Sequence, residues 1–414
     1  MRRPLSVALL AAGILSGADL SGIFVGGTDH PAIRYVSPEV HDPVAELNQK
    51  LYSGSFKLKF DGPSGFLRSV LDALDIPAES QMLVFSKTSL QAPLISPSNP
   101  RSIFFNDTTA VAWVAGEPFV EVASQDPRQG VHFYTVIQSR DVNPYFERRD
   151  SCNTCHESFG SLGVPGMMVR SVFPGPQGMP VRALGDYDSD HRSPFEHRWG
   201  GWYVSGDAGG AHHMGNSIVG DPAKEDNPLA PLAHPFDGAG GYLSPHSDIV
   251  ALLVFEHQLH AMNLLTRIGW EVRYAQYEKR DTTALLRNTA RELADYFLFV
   301  DEALLKGPVR GVSGFAEKFA ARGPRDSRGR SLRELDLSRR LMRYRCSYMI
   351  YTAAFEGLPA EAKSAVYARL WEILSGKETA AKYRRLSAAE RRAVIEILRE
   401  TKPGLPDYFK AVAP

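Results

Sequence analysis

The sequence predicts an α+β fold with a helix-plus-meander N-terminal region, an irregular middle and a C-terminal helical bundle. Three observations carry this. Between residues 82 and 137, short runs rich in Val, Ile, Phe, Tyr and Trp alternate with turn clusters. From residue 247 onward, apolar residues recur at helical spacing. Between them, about 141–241, neither period holds and Gly and Pro are frequent.

Taken in order, residues 42–51 and 65–74 read as short helices. The second carries Phe66, Val70, Leu71 and Leu74 on one face, with Pro63 just before it. Strands are expected at 82–85, 102–105, 110–114, 119–122 and 131–137. The turns between them are Asn106-Asp107, Gly116-Glu117-Pro118 and Asp126-Pro127-Arg128-Gln129-Gly130. Helices are expected at 247–268, opened by Ser244-Pro245 and closed by Gly269, and then at 282–305, 331–355, 359–374 and 388–401. A hundred residues of irregular backbone inside a compact protein calls for an organising group, and a large prosthetic group would serve.

Composition narrows the class. The 414 residues include 47 basic and 47 acidic side chains, so a nucleic-acid partner is not expected. Three cysteines cannot build a disulfide framework. No apolar run in the sequence reaches the roughly 20 residues of a membrane span. Residues 1–18 read as a signal peptide: Arg2 and Arg3 precede an apolar stretch from Leu5 to Leu15, followed by Ser16-Gly17-Ala18. The expectation is an exported, periplasmic or equivalent protein, with a cleaved or retained leader left open.

The strongest chemical signal is Cys152-Asn153-Thr154-Cys155-His156. Two thiols three apart can add to the two vinyl groups of one haem, and the next histidine can ligate its iron. Three other uses of the pair stay open. A thioredoxin-like redox pair would want a βαβ setting, which Arg148-Arg149-Asp150 and the Gly-rich tail do not supply. Zinc could take Cys152 and Cys155 with His191 and His197, although that spacing exceeds a finger's. A disulfide across two residues would be strained.

Behind a signal peptide, this pentad resembles the c-type cytochromes. The resemblance covers the motif region alone, and implies thioethers at Cys152 and Cys155, His156 as proximal ligand and one covalent haem c per chain. Val164-Pro165-Gly166 resembles the turn in small cytochromes whose proline carbonyl accepts the proximal His N–H, which would give that role to Pro165. The flanking regions depart from the small all-α cytochrome and look like large bacterial monohaem proteins.

For the distal side, Met214 in His212-His213-Met214-Gly215-Asn216 is the first candidate; His213 or His212, Met167, Met168, Met179 and an open site are the alternatives. Nine of the twelve histidines fall between His156 and His260, with Arg170, Arg192, Glu196 and Arg198 in the same stretch. Glu256 and His260 are four apart on one helix face, with His257 beside them; a buried hydrogen-bonded pair or an exposed ion pair is expected. Trp199, Trp202 and Tyr203 read as core that could also edge a haem. Cys346 reads as a buried, inert thiol.

The domain organisation expected is 1–18 signal peptide, 23–140 mixed α/β with the meander, 141–270 haem-binding region and 281–414 helical bundle. The leading expectation is one-electron transfer with an unidentified redox partner protein. The alternatives are a haem enzyme of peroxidase or related oxidoreductase type, with an open distal site, and a haem- or zinc-bearing binding module.

Overall fold

The computed structural model describes residues 22–221, 228–234 and 236–410, and the expected signal peptide lies outside them. Asp42 opens the first helix, α1 (Pro43–Tyr52): its carboxylate accepts from the Val44 and Ala45 amides, and Pro43 follows at a position where no N–H is needed. A second helix, α2 (Leu67–Ala73), precedes the meander. The meander comprises β1 (Met82–Val84), β2 (Arg101–Phe105), β3 (Thr109–Trp113), β4 (Phe119–Asp126), β5 (Gly130–Ile137) and β6 (Glu147–Arg148). Neighbours in sequence are neighbours in the sheet, all antiparallel.

Alternation along these strands gives the sheet two different faces. Phe104, Val111, Trp113, Val120, Val122, Tyr134 and Val136 bury against α1, α2 and their flanks. The opposite face carries two cross-strand rows. One runs Met82–Ile103–Ala112–Glu121–Thr135–Glu147, the other Phe105–Ala110–Ala123–Phe133. That second face meets the central helix and the motif.

The motif lies on a one-turn helix, α3 (Asn153–His156), followed by two ribbons: β7 (Val169–Val172) with β8 (Asp186–Ser189), and β9 (Ser217–Val219) with β10 (Leu229–Pro231). The central helix, α4 (Ile249–Tyr277), has 29 residues, most of them buried. By length and composition α4 could cross a membrane, yet 94% of its apolar window is buried within the fold. Around it sit α5 (Thr283–Phe297), α6 (Phe315–Ala321), α7 (Ala353–Glu356), α8 (Ala360–Leu374), α9 (Ala388–Thr401) and α10 (Asp407–Lys410); α5 packs on α4 and α8, and α8 on α9.

Three helix expectations are corrected. Gly269 does not end α4, because Trp270, Val272 and Ala275 continue its buried face and outweigh the glycine penalty of about 1 kcal/mol. The helix expected over 282–305 stops at Phe297, and Phe299 has φ of +52°. The expected helix at 331–355 is largely absent: local side chains take the backbone instead, with Asp336 accepting from the Ser338 and Arg339 amides and Glu302 from Leu341. Only a 3₁₀ turn at Tyr348–Tyr351 and α7 form there.

Candidate functional site

Cys152, Cys155 and His156 sit at the rim of the sheet face that carries the alanines. Cys152 is half-buried, Cys155 exposed, and both are free thiols. Three residues apart on one turn, the two thiols are near neighbours. Tyr35 steadies the turn from beneath: its hydroxyl reaches the Val131 carbonyl at 2.8 Å and Asn153 Oδ1 at 3.3 Å. Burial pushes the Cys152 thiol up, helped by nearby Glu121 and opposed by Arg101 and Arg149, so it is a thiol at neutral pH.

The His156 ring lies 4.6 Å from the Phe133 ring, centroid to centroid. Its Nδ1 is 2.9 Å from the Gly166 carbonyl oxygen. A carbonyl can only accept, so Nδ1 carries the proton and Nε2 keeps its lone pair. Burial pushes the imidazole pKa down, against the pull of Gly166, and Arg101 lowers it further, as does Arg170 more weakly. The expected acceptor, Pro165, is thereby corrected by one residue: its carbonyl is taken by the Val131 amide at 3.1 Å.

These residues fit a covalently held haem. The donor set is two free thiols and one neutral imidazole with Nε2 available. Beside it the sheet presents Ala112 and Ala123, and Ala123 is half-buried although it lies mid-sheet. Larger side chains at these positions would fill that floor. Arg101 and Arg170 bring positive charge near His156, although each also has an acidic partner, Glu121 and Asp188.

Met214 and His213, two of the distal candidates, have other neighbours. Met214 is buried, its sulfur 3.6 Å from the Ser171 hydroxyl and its amide bonded to the Arg198 carbonyl. His213 packs edge-on to Trp199 at 5.2 Å, its pKa pushed down to about 4 by burial. None of these neighbours is shared with His156. Met167 is buried, Met168 half-buried and Met179 exposed; His212 is exposed. Trp199 and Trp202 belong to the main core, and Tyr203 bonds the Pro97 carbonyl. Cys346 is fully buried, its thiol pushed up to about 12.

The polar residues on α4 pair differently from expectation. Glu256 bonds not His260 but Arg198, at 2.9 Å, with both side chains buried. Arg198 also donates to the carbonyls of His191 and Ser193. His257 bridges Ser347 at 2.7 Å and His191 at 2.8 Å. His260 lies beside Asp190 and Arg192. His197 stacks on Tyr187 at 4.1 Å. The histidines considered for zinc are thus engaged with other groups. Among the described residues, no three His, Cys, Asp or Glu side chains gather as a metal site.

Sequence reasoning placed Gly166 in the turn but gave the acceptor role to its neighbour Pro165, and it missed Asn263. The latter's signal was a lone amide among apolar residues of a helix, since a buried polar group is retained only when something pairs with it. Comparison with family models, characterised proteins and solved structures finds no match to this chain.

Proposed function

We propose that this chain is an exported monohaem c-type protein serving one-electron transfer, with Cys152 and Cys155 as the thioether residues and His156 as the proximal ligand. The observation that carries the reading is the His156 imidazole, held by Gly166 through Nδ1 within a motif whose two thiols are free. The haem would supply an Fe(III)/Fe(II) couple. The chain's part is to tether it at the sheet rim, fix the imidazole tautomer and present the exposed Cys155 side to a redox partner protein.

One observation favours a second reading. The Met214 sulfur already meets the Ser171 hydroxyl, and ligation at the iron would require it to move. An open distal face suits a haem oxidoreductase of peroxidase type. Spectra of the ferric and ferrous holoprotein decide between the two. Low-spin six-coordinate haem, inert to peroxide, supports the carrier and a distal ligand such as Met214 or His213. High-spin haem that reacts with peroxide supports the enzyme.

A further inference from the structure

Asn263 sits in the apolar middle of α4, 2% exposed, between Met262 and Leu264. Its Nδ2 donates to the Met167 carbonyl at 2.8 Å. Its Oδ1 is buried without a hydrogen-bond partner and lies against Gly166, where an added Cβ would collide with it. Gly166 carries the carbonyl that meets His156 Nδ1, and its amide donates back to the His156 carbonyl at 2.9 Å. On the other flank, the Pro165 carbonyl is held by the Val131 amide of β5. The Gly166 carbonyl is therefore fixed between α4 and the sheet, and Asn263 is its anchor on the helix side.

We propose that Asn263 is a positioning residue for the axial imidazole: by holding the 166–167 backbone it sets the strength of the His156–Gly166 hydrogen bond and, through it, the reduction potential of the iron. This rests on the c-type reading above. A firm N–H···O=C bond makes the imidazole a more basic ligand, which favours the ferric state. Loosening the carbonyl weakens that bond and moves the potential upward. The Asn263 amide bonds the Met167 carbonyl and lies against Gly166, so its effect on the imidazole would run through Gly166.

The test uses full-length holoprotein matured with covalent haem. Asn263→Ala is compared with Gln258→Ala, a control on the same helix that removes a buried amide bonded to the Asn106 carbonyl and to Tyr348. Both variants should lower the thermal midpoint. Only Asn263→Ala should shift the potentiometric midpoint to more positive values, at unchanged haem content. Asn263→Ser, too short to reach Met167, should shift it in the same direction, and carries the test if the alanine variant does not accumulate. Wild-type midpoints in both Asn263 variants, or an equal shift in Gln258→Ala, would overturn the proposal. Wild-type protein without haem would instead remove the c-type reading on which it rests.

Discussion

The imidazole of His156 and the carbonyl of Gly166, ten residues on, hold each other at 2.9 Å, and the Gly166 amide returns a bond of equal length to the His156 carbonyl. This reciprocal clip closes the loop after the motif and, with the Phe133 ring packed on the imidazole, orients the histidine. It also explains why the residue must be glycine: Asn263 and Ser161 occupy the space that a Cβ would need.

The two cysteines differ in exposure, and their substitutions should differ in cost. Cys155→Ala, at an exposed position, should change apoprotein stability by less than about 0.5 kcal/mol. Cys152→Ala, packed against the core, should cost about 1 kcal/mol. Each single variant should retain one thioether and the double variant none, read by haem retention after acid-acetone extraction. Denaturant melts of the apoproteins check the stabilities.

Arg198 satisfies Glu256 and two backbone carbonyls in the core. Arg198→Met orphans these acceptors and should cost about 3 kcal/mol or more. Glu256→Gln should cost only about 1 kcal/mol, because burial, against Arg198, pushes the carboxyl up to about 8, toward the neutral form that glutamine mimics. A folded pKa above the ordinary 4.5 means that the folded state keeps a proton that the unfolded state has lost. Glu256 thus withdraws stability as pH rises from about 4.5 to 8, and Glu256→Gln should remove that decline in urea melts across the window.

His257 has the opposite sign. Burial pushes it from 6.5 down to about 3, so its contribution is full above pH 6.5 and is lost as pH falls toward 3. Within that window it contributes a slope of about 1.4 kcal/mol per pH unit. His257→Gln should be less stable at pH 7, having lost its bonds to Ser347 and His191 in their present geometry, yet show a shallower acid decline. Denaturant melts at pH 7 and pH 5 measure the difference.

Asp248 joins α4 to the loop before α6. Its Oδ1 accepts from Val250 and Ala251, and its Oδ2 from the Val312 and Ser313 amides and the Ser313 hydroxyl. Asp248→Ala should cost about 3 kcal/mol: about 1 from the lost helix cap and the rest from orphaned loop donors. The thermal midpoint of the apoprotein checks this.

Much of the fold was legible because its signals are local. The meander strands were read from β-branched and aromatic runs between turn clusters, and α9 from apolar residues recurring at helical spacing; in the structure Ser387 and Glu390 open that helix as a capping box. Gly269 misled, because tertiary burial of Trp270 overrode a local stop signal. The stretch at 331–355 misled in the other direction: its apolar spacing suits a helix, but Glu302, Glu334 and Asp336 capture its amides. At the site, Cys152, Cys155 and His156 were legible from spacing alone. The Asn263 side chain reaches the Met167 carbonyl across 96 residues of sequence, and no one-dimensional period records such a contact.

The most direct measurement is a pyridine haemochrome spectrum of the full chain, purified from a host with c-type maturation and extracted with acid-acetone. A c-type haemochrome should stay with the protein, at one haem per chain, and be lost when Cys152 and Cys155 are both replaced. Protein that carries no covalent haem under these conditions would contradict the c-type reading.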